Sequence, residues 1–311
     1  QRRHQKLIEE APAFDIPESI LTAMGEAAVA VAKGCDYVNA GTVEFLYENE
    51  EFYYLEMNTR LQVEHPVTEM VTGIDLVEQQ LRVAFGEELS IRQEDIEITG
   101  HAIEVRINAE DPAEGQFLPS PGKLTTFKAS AGFGTRWDGG YEEGDEISQF
   151  YDNLVGKLIC WGKDRETAIA RTIRALEEFE VAGLSTTIPA DLAILKHPDF
   201  QENKHSTKWV EDGLDLTGVK GSPIENSEAG SASVIRTTDV EVDGKRFSVS
   251  MSVPSGKSQI RRSASATGAS ASGGDGQITV PMQGTIVKIQ VAVGDTVQSG
   301  DILLVLEAMK M

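Results

Sequence analysis

Residues 55–66 read LEMNTRLQVEHP, a stretch that combines two carboxylates, two side-chain amides, an arginine and a histidine. Two segments just upstream, 42–47 and 52–56, are rich in aromatic and β-branched residues and flank the polar residues 48–51. Such a pair of apolar runs around a short polar turn predicts a β-hairpin. The polar stretch therefore follows directly from the second strand of the hairpin.

The hairpin carries a candidate metal site. Side chains alternate along a strand, so Glu44, Glu56 and Asn58 share one face. An odd-length turn would place Glu44 opposite Glu56, with Cβ atoms about 5 Å apart, and like charges at that distance repel unless a cation lies between them. Two carboxylates and an amide are oxygen ligands suited to Mg²⁺ or Mn²⁺, and Mg²⁺ bound in this way usually serves substrate phosphates. The alternative is a solvated polar hairpin.

The chain is strongly acidic. Its 311 residues include 28 Lys and Arg against 50 Asp and Glu, which gives a net charge of −22 and a pI near 4.6. The length allows two or three domains. A chain of this charge is not expected to bind nucleic acid or anionic membranes through a general field. The acidity is spread along the sequence, as in halophilic proteins of a salty cytoplasm, although ordinary acidic proteins also exist.

Cysteine usage and hydropathy indicate a cytoplasmic protein. Cys35 and Cys160 are isolated, which predicts no disulfide framework and a reducing compartment. No apolar run approaches the ~20 residues needed to cross a bilayer, and no signal peptide is evident. The chain begins at Gln1 without a methionine and ends at Met311 inside a motif, so we expect a fragment.

Residues 56–69, EMNTRLQVEHPVTE, resemble the signature of biotin carboxylase, an ATP-grasp enzyme. The resemblance continues through NAEDP at 108–112 and YDNLVGKL at 151–158 and ends near Gly213, which is roughly two thirds of the chain. It implies an α+β fold, in which the C-terminal part of an ATP-grasp domain precedes a mixed sheet and helix domain. We also expect the helix predicted between Pro17 and Lys33 to lie in the core.

The resemblance implies a bicarbonate site. Bicarbonate must lose a proton to become a nucleophile, and we expect Glu64 to be the general base beside the anion pocket. Arg60, Gln62 and the backbone of Val63 would hold bicarbonate, with Arg60 also acting in catalysis. Lys6 would neutralise phosphate or bicarbonate oxygens, although a solvated basic strand end is the alternative.

A strand is predicted from residue 100 onward, because Ile103, Val105 and Ile107 alternate with polar residues. Arg106 lies on the polar face, and we expect its side chain to be presented rather than buried. By resemblance, it would stabilise the enolate of biotin, since a fixed guanidinium suits a developing oxyanion. The alternative for Arg106 is a surface salt bridge.

The family resemblance also implies a nucleotide site. Gln1 and His4 would lie near the nucleotide together with Glu44 and Glu56. In this scheme Glu44, Glu56 and Asn58 hold Mg²⁺ or Mn²⁺ between the phosphates of ATP. Two roles stay open for His65, that of a reacting group and that of a residue that orients the loop.

The C-terminal part of the chain indicates a carrier. Residues 255–276 are dominated by Ser, Ala and Gly, a composition typical of a flexible tether. Residues 278–311 end in EAMKM and resemble the first half of an all-β biotinyl carrier domain, in which Lys310 would receive biotin from a biotin protein ligase. We expect domains at 1–95, 96–213 and 277–311, with a linker at 214–276 that contains a small β patch over 234–253.

The sequence therefore predicts a biotin carboxylase and carrier subunit of an acetyl-CoA or propionyl-CoA carboxylase, with pyruvate as a further candidate acceptor. Its partner would be a carboxyltransferase subunit, and a homo-oligomer is expected at full length. The family's amino-terminal domain and glycine-rich lid are missing, so the fragment alone should turn over no ATP. The rival functions are another ATP-grasp ligase, which Lys310 argues against, and a carrier or assembly module without catalysis.

Overall fold

The computed structural model describes residues 1–219, 221, 233–242, 245–254, 285–292, 294–297 and 303–307. The chain divides into two compact units. One unit contains Gln1–Gln149 with Asn153–Ile224, and the other contains Phe150–Asp152 with Glu225–Met311.

The first unit contains both helices and strands. Its helices are α1 (Glu18–Gly34), α2 (His65–Thr72), α3 (Leu76–Ala84), α4 (Arg165–Glu177), α5 (Ile188–Lys196), α6 (Pro198–Gln201) and α7 (Trp209–Asp212). Its strands are β1 (Ile8–Ala11), β2 (Thr42–Glu48), β3 (Glu51–Asn58), β4 (His101–Asn108), β5 (Glu110–Asp111), β6 (Leu118–Pro119), β7 (Gly122–Lys123), β8 (Thr126–Lys128), β9 (Thr135–Gly139), β10 (Glu146–Ile147), β11 (Leu154–Gly162) and β12 (Glu180–Ala182). Short 3-10 helices occur at Gln93–Asp95 and Ala113–Gly115.

A four-stranded antiparallel sheet in the order β1, β4, β11, β9 organises this unit. The alternation predicted for β4 is confirmed, because Ile103, Val105 and Ile107 are fully buried on one face and join the main apolar core. Helix α4 packs on this face. It begins where the Asp164 carboxylate accepts a hydrogen bond from the Thr167 backbone N–H at 2.8 Å, a cap that stabilises a helix by about 1 kcal/mol.

Helix α2 covers the opposite face of the sheet. Val67 and Val71 pack against Ala102 of β4 and Ile159 of β11, forming a second small apolar cluster. The helix ends at Gly73, whose φ of 71° is a left-handed conformation that glycine adopts without strain. Apolar packing along α2 therefore fixes the loop that precedes it against the polar part of this sheet face.

Strands β2 and β3 form the predicted hairpin, but the turn differs from the sequence expectation. Glu48 pairs with Glu51 across an even two-residue turn, Asn49 and Glu50, both with positive φ. A bulge then shifts the register so that Glu44 pairs with Glu56. The odd-length turn is therefore wrong, whereas the cross-strand pairing of the two glutamates is confirmed because the bulge adds the missing residue.

Helix α1 differs from its prediction as a core element. None of its residues is buried, although its apolar stripe faces one way and is half-buried. The helix contacts the two-stranded hairpin β2–β3, which covers less surface than a full sheet. The periodicity correctly predicted the helix and its apolar face, but not the depth of burial.

The described part of the second unit contains two antiparallel strand pairs. Strands β13 (Ser233–Val242) and β14 (Lys245–Pro254) pair antiparallel, which confirms the predicted β patch. Strands β15 (Thr285–Ile289) and β16 (Leu304–Glu307) pair within the region that resembles a carrier domain. Lys310 and the predicted tether at 255–276 lie outside the described residues.

Across the described part of the chain, no helix is both long enough and apolar enough to pass through a membrane.

Candidate active site

A network of charged and amide side chains lies where the β2–β3 hairpin, the loop 59–64 and strand β4 meet. Hydrogen bonds join side chains from four separate segments into this network. Its members are Lys6, Glu9, Glu44, Glu56, Asn58, Arg60, Gln62, Glu64 and Arg106. Most of the residues predicted from the sequence are therefore brought together in one place.

Glu64 lies at the centre of the network, directly before α2. Its Oε1 accepts a hydrogen bond from Lys6 Nζ, and its Oε2 accepts one from Arg106 Nη2 at 3.0 Å. The carboxylate thus spans two cations. Burial alone would lower the pKa of the Lys6 ammonium, but its hydrogen bonds and charge attraction to Glu64 and Glu44 outweigh burial and raise that pKa.

Arg106 is held from two sides. Its Nε donates to Glu9 Oε1 at 2.6 Å, while Nη2 reaches Glu64 as described. Its side chain is 18% exposed and contacts Glu64, so Arg106 is partly buried. Its ion pairs with Glu9 and Glu64 are partly buried. A guanidinium fixed by two carboxylates keeps one orientation, which suits recognition of a developing negative charge.

A buried acidic pair lies beneath Arg106. Glu104 is 0% exposed and is the register partner of Glu9 on β1. Among the described residues, neither carboxyl oxygen of Glu104 has a hydrogen-bond partner. Burial, together with the charge of Glu9, raises the pKa of Glu104 to about 8, and burial also raises the pKa of Glu9. Burial therefore favours the protonated form of Glu104.

The predicted metal ligands are adjacent. The Asn58 amide nitrogen lies 3.2 Å from Glu44 Oε1 and 2.9 Å from Glu56 Oε1, so it separates the two like charges. A rotation of the Asn58 amide group by about 180° would exchange its nitrogen for its oxygen, giving two carboxylates and one amide oxygen. These residues fit Mg²⁺ or Mn²⁺, which take oxygen ligands. No group of three or more His, Cys, Asp and Glu side chains in the described ranges is arranged to hold a metal ion.

The bicarbonate candidates are distributed around the same carboxylates. Gln62 Nε2 and Lys6 Nζ both donate to Glu44 Oε1. Arg60 Nη2 donates to Asn58 Oδ1 at 3.2 Å, which links the loop to the metal ligands. The carbonyl of Val63 accepts a hydrogen bond from Lys157 Nζ at 2.7 Å.

Gln1 and His4 are the predicted residues that do not join the network. His4 is exposed in a turn closed by hydrogen bonds between Arg2 and Gln5, and Gln1 is half-buried. Within residues 1–219, no hydrogen bond connects either side chain to the network. Their assignment to the nucleotide rests on the resemblance alone.

The sequence interpretation missed Glu9, Glu104 and Lys157 as members of the site. Each is a charged residue inside or beside an apolar strand, and Lys157 interrupts the run LVGKLIC at 154–160. A charged residue in a buried strand requires a compensating partner, and that pattern could have identified Lys157 and Glu104. Glu9 requires the pairing of β1 with β4, which the sequence did not reveal.

Three known families match successive parts of the chain. Residues 1–92 match the ATP-binding domain of the carbamoyl-phosphate synthase L chain, residues 104–212 match the biotin carboxylase C-terminal domain, and residues 276–311 match the biotin-requiring enzyme family. The three matches follow one another without overlap along a single chain. The chain belongs to the biotin carboxylase family, and the expected α+β fold class is confirmed.

Individual relatives support this family. A pyruvate carboxylase subunit of Methanothermobacter thermautotrophicus is 53% identical over 212 residues, which cover 68% of this chain and 43% of that protein. The biotin-dependent acyl-coenzyme A carboxylase alpha3 subunit of Mycobacterium leprae is 43% identical over an alignment of 334 positions, covering 100% of this chain and 55% of that subunit. The chain thus spans about half the length of these relatives.

A solved structure shares the fold. The biotin carboxylase domain of Hydrogenobacter thermophilus 2-oxoglutarate carboxylase superimposes with a TM-score of 0.66 and 45% identity, covering 68% of this chain and 47% of that one. That structure is a complex with MgADP, ADP and bicarbonate. Biotin and ATP are the cofactor and the nucleotide of this family.

Proposed function

We propose that the complete protein carrying this sequence uses ATP and bicarbonate to carboxylate biotin attached to Lys310. The observation that carries the proposal is the hydrogen-bonded series Lys6, Glu64 and Arg106, which lies beside Glu44 and its partners. The Hydrogenobacter thermophilus relative, solved with MgADP and bicarbonate, supports the same chemistry.

In the first step, bicarbonate transfers its proton to Glu64, and its oxygen attacks the γ-phosphorus of ATP. The bond to the leaving ADP breaks, and carboxyphosphate forms. Lys6 and Arg60 attract the anion to the base, while the Gln62 amide and the Val63 backbone N–H orient it. Placing the base and the anion together is the main contribution of these residues, since a positioned base is typically worth about 10²–10⁴-fold in rate.

The metal ligands would be Glu44, Glu56 and Asn58. A divalent cation bound there would reduce the charge repulsion between the phosphates and the attacking anion. Lys6 contacts Glu44 at 3.3 Å, so the ammonium is placed between the proposed metal and bicarbonate positions.

In the second step, Arg106 acts on the carrier's prosthetic group. When bound, biotin would supply a ureido nitrogen that gives its proton to the departing phosphate of carboxyphosphate and takes up the carboxyl group. The Arg106 guanidinium, already fixed by Glu9 and Glu64, stabilises negative charge on the ureido oxygen without moving.

The final acceptor is proposed to be an acyl-CoA, acetyl-CoA or propionyl-CoA. The Mycobacterium leprae acyl-coenzyme A carboxylase relative matches 100% of this chain, whereas the Methanothermobacter thermautotrophicus pyruvate carboxylase relative matches 68%. We further propose a cytoplasmic homo-oligomer with a separate carboxyltransferase subunit, and domain boundaries after residues 95, 213 and 276.

The test is bicarbonate-dependent ATP cleavage by the complete gene product with Mg²⁺ and free biotin. We expect ADP release that requires bicarbonate and transfer of ¹⁴C from labelled bicarbonate to biotin. ADP release without bicarbonate dependence would favour another ATP-grasp ligase, and neither activity would favour a carrier or assembly module. Addition of each acyl-CoA or pyruvate with the co-purifying carboxyltransferase then identifies the acceptor.

A further inference from the structure

Lys157 is a buried ammonium whose shortest contact is a neutral group. The residue is 9% exposed, and its Nζ donates to the Val63 carbonyl oxygen at 2.7 Å. Its nearest carboxylate oxygen, Asp138 Oδ2, lies 3.8 Å away and already accepts from Arg136 at 2.7 Å. Burying an ammonium costs several kcal/mol unless it is well paired, so this placement calls for an explanation.

The sheet fixes where this charge lies. Lys157 on β11 is the register partner of Arg106 on β4, so the two side chains lie next to each other on the same sheet face. Glu104, two residues along β4, shares this face, and burial raises the pKa of its carboxyl group. Among the described residues, no carboxylate of the sheet accepts a hydrogen bond from Lys157.

The loop above Lys157 is held at two successive carbonyl groups. Lys157 binds the Val63 carbonyl, and His65 Nδ1 lies 2.8 Å from the Gln62 carbonyl oxygen. The Gln62 carbonyl belongs to the same peptide group as the Val63 N–H, so a hydrogen bond to that carbonyl polarises and orients the N–H. Within residues 1–219, the Val63 N–H donates a hydrogen bond to no backbone carbonyl.

We infer that Lys157, assisted by His65, is a positioning residue that fixes the loop 62–64 so that the Val63 N–H faces bicarbonate. Lys157 contacts the loop through the Val63 carbonyl, and its charge would add a positive potential to the proposed bicarbonate pocket. This inference rests on the proposed function, because it assigns a role to residues around the proposed bicarbonate pocket. It also gives His65 the loop-orienting role.

The experiment compares three variants of the complete protein. Lys157→Met removes the charge and the donor at similar size, Lys157→Arg keeps both, and Lys128→Met is a matched control at an exposed lysine paired with Glu180. The readouts are kcat, the KM values for bicarbonate and ATP, and the equilibrium Kd for ¹³C-bicarbonate measured by NMR.

We expect Lys157→Met to raise the KM and Kd for bicarbonate about tenfold, equivalent to about 1.4 kcal/mol, with the KM for ATP changed less than twofold. Lys157→Arg should recover most of the affinity, and Lys128→Met should match the wild type. A loss confined to kcat or shared equally by both substrates would overturn the inference, because that is the signature of a merely structural lysine.

A second variant and a binding measurement separate failure of the positioning role from misfolding and from failure of the proposed function. If Lys157→Met does not fold, His65→Gln replaces it, with the same selective rise in bicarbonate KM expected and an unchanged value contradicting the inference. If the wild type shows no bicarbonate-dependent ATP cleavage, the proposed function fails, while the NMR titration still decides the positioning role. Bicarbonate binding weakened by Lys157→Met would support that role, and absence of binding in the wild type would refute it.

Discussion

At the scale of single residues, the site depends on carboxylates in three different environments. Glu64 is placed between two cations, Glu44 accepts hydrogen bonds from three donors, and Glu104 is buried without a hydrogen-bond partner among the described residues. These environments are the basis for proposing Glu64 as a base and Glu44 as a metal ligand, while burial favours the protonated form of Glu104. Sequence alone reveals the residue types but not these environments.

Arg106→Ala should slow carboxyl transfer to biotin about 100-fold, because a preorganised donor to a developing oxyanion is worth roughly 10²–10³ in rate. ATP cleavage should fall less, since Arg106 reaches that step only through Glu64. Single-turnover assays of ¹⁴C transfer and ADP release measure the two steps. Arg92→Ala, at an exposed arginine, is the control, and equal losses in both steps would contradict the role in carboxyl transfer.

The buried carboxyl group of Glu104 should make the free energy of unfolding depend on pH. The unfolded carboxyl ionises near its usual value of 4.5, whereas the folded one retains its proton up to about pH 8 because burial raises its pKa. Between these values the folded state binds the extra proton, so the free energy of unfolding falls as pH rises, by up to about 1.4 kcal/mol per unit, and the loss ends above about pH 8.

Glu104→Gln, which mimics the neutral acid, should remove this slope in urea denaturation at pH 5, 6.5 and 8. Its stability relative to the wild type should therefore rise with pH. The exposed Glu48→Gln variant should run parallel to the wild type. Parallel curves for Glu104→Gln as well would show that Glu104 is ionised in the folded protein.

At the scale of elements, local sequence patterns predicted the helices and strands well. They did not predict how strands distant in sequence pair. The alternation in β4, the hairpin β2–β3 and the helices followed from periodicity and turn residues. The predicted metal ligands and, apart from Lys6, the bicarbonate candidates could be found because they lie within 21 residues of one another along the chain, from Glu44 to Glu64. The bulge in β3, the partial exposure of α1 and the pairing of β1 with β4 depend on contacts that no local pattern specifies.

Alanine substitutions at two glycines should change the free energy of unfolding in opposite directions. Gly73 ends α2 at positive φ, so Gly73→Ala should destabilise the chain by about 1 kcal/mol. Gly25 lies inside α1, where an added Cβ meets nothing within 4 Å, so Gly25→Ala should stabilise it by about 0.4–1 kcal/mol. Urea denaturation measures both, and shifts of the same sign would contradict the assigned backbone conformations.

At the scale of the whole molecule, the chain joins a candidate carboxylation site in the first unit to a carrier region in the second. The carrier role rests on the sequence match over residues 276–311, with Lys310 as the proposed attachment point. Biotin attachment at Lys310 can be tested separately from the carboxylation reaction.

Lys310→Arg should abolish avidin labelling of the complete protein expressed with a biotin protein ligase, because arginine offers no primary amine. Lys288→Arg in β15 serves as the matched control and should label like the wild type. Labelling that survives Lys310→Arg would place biotin on another lysine.

Glu64→Gln in the complete protein, with Glu48→Gln as the control, tests the proposed carboxylation chemistry at its first proton transfer. If Glu64 accepts the proton of bicarbonate, bicarbonate-dependent ATP cleavage should fall about 10²–10⁴-fold, since an amide cannot act as a base. ATP binding, measured by equilibrium titration, should remain within about threefold of the wild type. Wild-type rates of ATP cleavage in Glu64→Gln would contradict the base assignment and remove Glu64 from the centre of the site.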